Sequence, residues 1–220
     1  MRTFVRCALV SLVTVAPAAL SAQGARGWVD TWFWGAHTGV LYYQTNRRSY
    51  YFDPTIGAHM LITKQRAALY LEFEHTFLLD PAVAAIADPT STDPNLPPGF
   101  RDVEFEHVRR ISAALLAVPI HGAFQPFAGL GVSILQVPNA TPRGTVSDPE
   151  LTQLLIDDAS SKAALLVLAG FDLRLGRLTV FGQYKGNSEA RGFLLDGVVH
   201  SLQGGLRYAI GGARETIANF

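Results

Sequence analysis

The chain has 220 residues, with 18 basic and 18 acidic side chains and a formal net charge of zero at pH 7. Charged residues make up 16% of the chain, below the roughly 25% of ordinary soluble domains, whereas 49% of the residues are hydrophobic. The sequence contains no basic stripe, so we expect no nucleic-acid partner. The length favours a single domain.

The N-terminus has the pattern of a secretory signal peptide. Arg2 and Arg6 form a short cationic region, an apolar stretch follows over residues 7–20, and the small residues around Ala22 predict cleavage there. We therefore predict a signal peptide over residues 1–22. The apolar stretch is too short for a good transmembrane helix, and a buried N-terminal helix is the alternative interpretation.

Removal of the signal peptide would change both the charge and the thiol content of the domain over residues 23–220. Of the 18 basic residues, Arg2 and Arg6 would be lost, which leaves 16 basic against 18 acidic residues and a net charge of about −2. Cys7, the only cysteine, would also be lost. The exported domain would then have no disulfide, no thiol nucleophile and no cysteine metal site.

Eight segments have the length and alternation of membrane-spanning β-strands, which need ~9–11 residues that face lipid and lumen in turn. In the third segment, Leu69, Leu71 and Phe73 share one face, whereas Glu72 and Glu74 share the other. Glutamates at every second position of an apolar strand must face water or counter-charges. The predicted strands cover residues 32–43, 50–63, 67–77, 103–118, 124–137, 162–174, 178–185 and 198–210.

The connections between these strands alternate in length. Short connections fall at residues 64–66, 119–122 and 175–177, and long polar ones at residues 78–102, 138–160 and 186–196. If successive strands run up and down, all short turns lie at one end and all long loops at the other. This pattern is typical of outer-membrane barrels. The sequence thus predicts an all-β, eight-stranded antiparallel up-and-down transmembrane β-barrel with short periplasmic turns and long extracellular loops, located in the cell outer membrane.

Two loop segments have helical signals. Ser147, Pro149 and Glu150 have the spacing of a capping box with proline at the first helical position, which predicts a short helix to about Asp157. The alanine-rich residues 80–85 predict a brief turn of helix. We expect both segments to lie outside the membrane.

Aromatic residues at the alternate strand positions that face outward, which we call the outward parity, predict two girdles at the membrane interfaces. The alternative is that aromatic residues simply favour strands. The residues near the short-turn end are Trp32, Trp34, Phe124, Phe171 and Tyr208, and those near the long-loop end are Tyr42, Tyr50, Phe52, Phe77 and Tyr184.

The opposite parity predicts a luminal network of charges of mixed sign. An eight-stranded barrel is just wide enough for its side chains to fill it, and unpaired buried charges are costly, so we expect these groups to pair and close the lumen. An ion pathway is the alternative. The predicted network consists of Glu72, Glu74, Arg110, Asp172, Arg174, Lys185 and Arg207.

Arg109 departs from the pattern, because its parity places it on the apolar outer face near the long-loop end. The outer leaflet carries lipid phosphates, and the guanidinium group donates two parallel hydrogen bonds to such groups. We therefore hypothesise that Arg109, with His107 on the same face, contacts a lipid phosphate. In the alternative, a bulge turns Arg109 inward onto Glu72 or Glu74.

Several short patterns resemble the small eight-stranded outer-membrane barrels of the OmpA, OmpX and OmpW type. They are Phe127-Ala128-Gly129-Leu130-Gly131-Val132, Ala169-Gly170-Phe171-Asp172-Leu173-Arg174-Leu175, Phe181-Gly182-Gln183-Tyr184-Lys185 and Gly204-Gly205-Leu206-Arg207-Tyr208. The resemblance implies the barrel fold, insertion by the barrel-insertion machinery, and a structural, adhesive or enzymatic role. Relatives often end on an aromatic residue within the last strand, whereas here Phe220 ends a tail that follows it.

No catalytic motif emerges from the sequence. His200 and Ser201 are adjacent, so their side chains point to opposite faces of a strand and cannot form a nucleophile–base pair. His37 and His59 can both point inward, but no third ligand has the spacing of a metal site, so we expect neutral luminal histidines. We expect no enzymatic activity, no metal and no cofactor.

The predicted role is structural, or contact with surface molecules through the long loops. The expected partners are outer-membrane lipid and an extracellular ligand, and we expect a monomer. A lipid-modifying barrel enzyme is one alternative. A secreted soluble barrel of lipocalin type, which would hold its apolar face inward, is another.

Overall fold

The computed structural model describes residues 31–119, 122–189 and 191–212. The predicted signal peptide over residues 1–22 and the C-terminal tail after residue 212 lie outside the described residues. No helix among the described residues is long and apolar enough to cross a membrane. The elements are β1 (Thr31–Gln44), β2 (Tyr51–Lys64), β3 (Ala67–Ala87), β4 (Phe100–Ala117), β5 (Phe124–Gln136), β6 (Thr141–Pro142), α1 (Pro149–Ala159), β7 (Ser161–Leu175), β8 (Leu178–Asn187) and β9 (Asp196–Gly212).

Eight of these strands form a closed antiparallel barrel. Each barrel strand pairs with the next one along the chain, and β9 pairs with β1 to complete the circle. The two-residue strand β6 lies outside this circle, on the outer part of β4. The predicted eight-stranded up-and-down architecture is confirmed.

The two ends of the barrel differ in their connections. Two-residue turns join β2 to β3 and β7 to β8, and Gln65 and Gly176 in these turns have positive φ angles of 53° and 69°. We call this end the turn end. The β4–β5 connection at residues 118–123 also lies at this end and spans six residues. The three longest connections, at residues 88–99, 137–160 and 188–195, lie at the other end together with the six residues 45–50, and we call that end the loop end. The predicted sorting of connections by length is present.

The two faces of the barrel wall differ in polarity. Large apolar side chains of the outward parity are exposed, among them Leu115 at 71% and Leu130 at 68%, whereas Glu74 and Lys185 on the inward parity are at most 1% exposed. A lipocalin-type barrel would hold its apolar face inward. The arrangement therefore contradicts the soluble lipocalin-like alternative.

The hairpin of β3 and β4 continues well past the barrel wall. Beyond Thr76, β3 no longer pairs with β2, and an irregularity between Phe77 and Ala82 shifts its register on β4. Alternate residues of the outer part of β3 are then buried against the loops. The predicted turn of helix at residues 80–85 is wrong, because pairing with β4 overrides the helical preference of the alanine-rich sequence.

The free edge of this extended hairpin is covered by a side chain. The Asn46 amide donates to the carbonyl oxygen of Ala85 and accepts from the amide nitrogen of Ala85, both at 2.7 Å. The amide group thus takes the place of a neighbouring strand. Exposed edges invite pairing with other chains, so this contact protects the outer hairpin.

Helix α1 begins close to where the capping signal placed it. Pro149 occupies the first turn as predicted, but the cap is Asp148, whose carboxylate accepts from the backbone nitrogen of Leu151 at 3.1 Å. The helix ends at Ala159, two residues beyond the predicted end. Its buried Ile156 packs into an apolar cluster at the loop end.

A buried ion pair holds the outer hairpin to helix α1. The Arg101 Nε atom donates to Asp88 Oδ2 at 2.5 Å, and the Thr152 hydroxyl of α1 donates to the same oxygen at 3.1 Å. Burial alone would raise the pKa of the Asp88 carboxyl, but these bonds and those from Thr90 lower the pKa to about 2. We call the outer hairpin, α1 and residues 191–195 together the loop cap.

Two apolar clusters lie in the interior, one towards each end of the barrel. The loop-end cluster joins the loop cap to the part of the barrel wall nearest the loop end. It includes Leu41, Tyr43, Phe105, Leu135, Ile156, Leu194 and Leu195. The second cluster lies inside the barrel, nearer the turn end. It includes Phe33, Leu61, Tyr70, Leu116, Phe127, Leu166 and Leu168.

Candidate functional site

The predicted luminal charges come from five strands. Six of the seven are buried inside the barrel, and Arg174 is half-buried towards the turn end. Their elements are β3 for Glu72 and Glu74, β4 for Arg110, β7 for Asp172 and Arg174, β8 for Lys185, and β9 for Arg207.

Two carboxylates and two cations form the centre of the lumen. The Arg110 Nη2 atom lies 2.7 Å from both carboxylate oxygens of Glu74. The Lys185 ammonium lies 2.5 Å from Glu72 Oε2 and 3.0 Å from Glu74 Oε2. Since each cation faces a carboxylate at hydrogen-bond distance, the formal charges of the four groups cancel.

Neutral polar groups add further hydrogen bonds to this centre. Arg110 also donates to Asn187 and Ser201, at 2.8 Å each. The Gln203 amide donates to Glu74, and the Tyr70 hydroxyl donates to Glu72 Oε1 at 2.9 Å. These residues share the inward parity of the predicted charges, which was the only sequence signal for them.

A second group of polar contacts surrounds Arg207, nearer the turn end. Its Nη1 atom lies 2.5 Å from Asp172 Oδ1, and its Nη2 atom donates to Gln183 at 3.2 Å. The guanidinium carbon lies 4.0 Å from the centre of the Phe181 ring. The cation is thus held by one carboxylate, one amide and one aromatic face.

The two buried histidines link these groups, and the contacts determine their tautomers. The Arg207 Nε atom can only donate, so His59 accepts this bond, of 2.9 Å, at its Nε2 atom. The proton of neutral His59 then lies on Nδ1, which donates to His37 Nδ1 at 3.2 Å. His37 carries its proton on Nε2, which faces Glu72 Oε1 at 3.2 Å.

The His37, Glu72 and Glu74 side chains come close enough together to suggest a metal site. Their ligand atoms lie within 4.8 Å of one another, a proximity that the sequence spacing did not indicate. A metal would need the Nε2 lone pair of His37, which the inferred tautomer does not offer, and it would compete with the Lys185 ammonium for both carboxylates. The arrangement fits a charge-compensated network better than a metal centre.

The close approach of the histidine rings depends on two glycines. In the pairing of β1 with β2, His59 lies opposite Gly35 and His37 lies opposite Gly57. A Cβ atom at Gly35 would lie 2.3 Å from His59 Nε2, and one at Gly57 would lie 2.4 Å from His37 Nε2. Each ring therefore lies over a glycine backbone, which no larger residue allows without moving the ring.

Arg109 faces outward, and its neighbour Arg110 is the residue that enters the lumen. The alternative in which a bulge turns Arg109 inward onto Glu72 or Glu74 is therefore wrong. Arg109 lies opposite His75 of β3, two residue pairs nearer the middle of the barrel than Phe77 and His107. The predicted contact with lipid phosphate stays a prediction.

Comparison with known proteins bears on the fold. No protein-family model matches the chain, and no curated protein sequence matches it. Among solved structures, Neisserial surface protein A is similar with a TM-score of 0.54 and 12% sequence identity, over 80% of this chain and 96% of that chain. The chain has the fold of a small eight-stranded outer-membrane barrel. The resemblance that the sequence patterns indicated is confirmed at this level.

Two further structures are similar more weakly and add nothing to this conclusion. The N-terminal β-barrel domain of Pseudomonas aeruginosa OprF has a TM-score of 0.47 and 7% identity, over 82% of this chain and 98% of that chain. The outer membrane protein OprG of the same organism has a TM-score of 0.43 and 10% identity, over 82% of this chain and 93% of that chain.

Proposed function

We propose that this protein is an outer-membrane β-barrel with a structural or surface-interaction role and a closed, charge-filled lumen. The apolar belt supports the location, because exposed residues such as Leu115, Leu130 and Leu202 would face water in any other setting. Lipid-facing apolar strands with a polar interior are the usual arrangement in transmembrane barrels.

The pairing of luminal charges is the observation that carries the proposal of a closed lumen. Arg110 lies at hydrogen-bond distance from Glu74 and Ser201, and Lys185 lies at hydrogen-bond distance from Glu72 and Glu74. An ion would have to separate these pairs in an interior of low dielectric, at considerable cost. Apolar clusters lie on either side of the charged centre and add to the barrier.

The loop cap supports a role at the cell surface. It is built from an extended hairpin, a helix and buried contacts, and so presents a defined surface. Such a surface suits an extracellular ligand. Outer-membrane lipid around the belt and the barrel-insertion machinery are the other proposed partners, and the proposed state is a monomer.

A lipid-modifying enzyme is the second candidate, and the arrangement of hydroxyls gives it little support. His200 faces outward next to the Tyr184 hydroxyl, at 2.5 Å, whereas Ser201 is buried in the lumen beside Arg110. Within the described part of the chain, no serine hydroxyl is hydrogen-bonded to a histidine. A nucleophile activated by a histidine base would need such a contact.

Electrical recording tests the proposal of a closed lumen. We expect the purified protein in a planar lipid bilayer to show no steady conductance, because every luminal path crosses the paired charges. Insertion is verified in the same lipid by protection of the barrel strands from added protease. Large, stable, ion-selective channels from verified insertions would contradict the proposal.

A further inference from the structure

Three basic side chains meet on the outer surface of the barrel near the loop end. His75 and Arg109 lie opposite each other in the pairing of β3 with β4, and the ring centres of His75 and His107 are 5.2 Å apart. Phe77 lies against them, with its ring centre 4.5 Å from that of His75. We call His75, His107 and Arg109 the basic cluster.

The surroundings of the basic cluster are apolar. The next outward positions towards the turn end are Phe73 and Ile111, which are 49% and 46% exposed. The outward neighbour of Arg109 on β5 is Gln136, which is uncharged. The cluster thus interrupts an otherwise apolar belt at the level where the belt ends.

The basic cluster has no counter-charge within the protein. Among the described residues, no carboxylate lies within salt-bridge distance of His75, His107 or Arg109. The nearby Glu104 is already paired with Arg143 at 2.6 Å. An unpaired arginine beside lipid is costly, so an anion from the surroundings would stabilise the cluster.

A cleft begins at the basic cluster and continues towards the loop cap. It has a volume of about 290 Å³, and His107 belongs to both features. Its other lining residues are Glu104, Phe105, Glu106, Pro138, Asn139 and Thr141. The carboxylate, amide and hydroxyl groups in this lining suit sugar hydroxyls, whereas a second phosphate would meet the Glu106 carboxylate.

We propose that the basic cluster and the adjoining cleft bind the phosphorylated sugar head group of an outer-leaflet glycolipid. The phosphate lies on the basic cluster, where the guanidinium group of Arg109 donates two parallel hydrogen bonds to the phosphate oxygens. The sugar occupies the cleft, and the acyl chains continue along the apolar belt below. The long Arg109 side chain extends to the head-group level from its position two residue pairs nearer the middle of the barrel than Phe77.

This inference rests on the proposed outer-membrane location and commits to a lipid as the source of the phosphate. A free phosphate ion would gain nothing from the apolar surface that extends below the cluster. A phospholipid would supply the phosphate and acyl chains but no sugar for the cleft. The test therefore compares the binding of a phosphorylated glycolipid, a phospholipid and free phosphate.

The test measures lipid binding by native mass spectrometry on the delipidated barrel in detergent. The probes are a phosphorylated lipopolysaccharide, the same glycolipid after enzymatic dephosphorylation, phosphatidylglycerol and inorganic phosphate. The test variant is the full chain with His75→Gln, His107→Gln and Arg109→Gln. The matched control is His200→Gln, since His200 also faces outward near the loop end but lies beside Tyr42 and Tyr184.

We expect the triple variant to bind the phosphorylated glycolipid at least about tenfold more weakly than the wild type, because the charged hydrogen bonds from Arg109 and the imidazole N–H donors are lost. The control variant should bind like the wild type, and the dephosphorylated lipid should bind the wild type as weakly as the triple variant binds the intact one. Phosphatidylglycerol and inorganic phosphate should bind weakly to both.

Three results would overturn the inference. The first is equal binding of the intact and dephosphorylated glycolipids, and the second is no loss of binding in the triple variant. The third is equal binding of phosphatidylglycerol or free phosphate, which would remove the role of the sugar or of the lipid. Gel mobility with and without boiling shows in the same samples whether each variant is a folded barrel. Normal barrel behaviour with no phosphate dependence would overturn this inference and leave the proposed function standing.

Discussion

Glu74→Gln is expected to lower the free energy of unfolding of the barrel by about 3–5 kcal/mol, the usual cost of removing one partner of a buried ion pair. The substitution keeps the shape of the side chain but removes the charge that faces both Arg110 and Lys185. Only the Glu72 carboxylate would then remain beside the two cations. Urea unfolding in lipid vesicles measures the effect.

The control and the rescue variant separate charge from shape. Glu106→Gln removes a carboxylate from an exposed residue of the same hairpin and should change the stability by less than about 0.5 kcal/mol. Adding Lys185→Met to Glu74→Gln removes one cation together with the carboxylate, so part of the lost stability should return. A double variant no more stable than Glu74→Gln alone would contradict the account of charge compensation.

Arg101→Met is expected to open the loop cap while the barrel stays folded. Asp88 would be left buried without its cation, which costs about 3–5 kcal/mol locally. Helix α1 should become sensitive to protease and exchange its amide hydrogens quickly, because Thr152 and Arg101 both bind the Asp88 carboxylate. Limited proteolysis and hydrogen exchange measure this directly.

Arg143→Met supplies the matched control for the loop cap. Arg143 pairs with Glu104 on the same hairpin, but its side chain is 54% exposed, so its loss should cost less than about 1 kcal/mol. An α1 helix equally stable in Arg101→Met and Arg143→Met would contradict the role of the buried pair.

The pH dependence of the loop cap follows from the same ion pair. The folded-state pKa of Asp88 is about 2, below its ordinary value of 3.8. The pair therefore stabilises the cap fully above about pH 4, and this stabilisation is lost as the pH falls through 2. Protease resistance of α1 in the wild type should decline over that range, and Arg101→Met should lack this decline.

The barrel itself could be predicted because its signals are local and repeated. Within the barrel wall the strands alternate with a period of two, and glutamates at alternate positions of β3 could only face the lumen. The sorting of connections by length then fixed the direction of each strand. These signals need no knowledge of which residues meet across the lumen.

The errors arose where distant contacts decide the local structure. The alanine-rich residues 80–85 favour a helix by themselves, but they lie in a strand because β4 pairs with residues 82–85 and Asn46 covers the edge at Ala85. Gly35 of β1 and Gly57 of β2 each accommodate a histidine ring from the other strand, a contact that the sequence did not indicate.

The sequence also could not predict which residues of the luminal network contact each other. Parity places a residue such as Lys185 inside the barrel, but the tilt of the strands decides that it meets Glu72 and Glu74 rather than Asp172. The link from Arg207 through His59 and His37 to Glu72 depends on the same geometry.

Membrane fractionation tests the central claim, a closed antiparallel barrel inserted in the outer membrane, most directly. We expect the protein to be recovered with the outer membrane and to migrate at different positions on a denaturing gel before and after boiling, because the closed barrel resists unfolding until heated. Recovery as a soluble periplasmic protein, with one mobility at both temperatures, would contradict it.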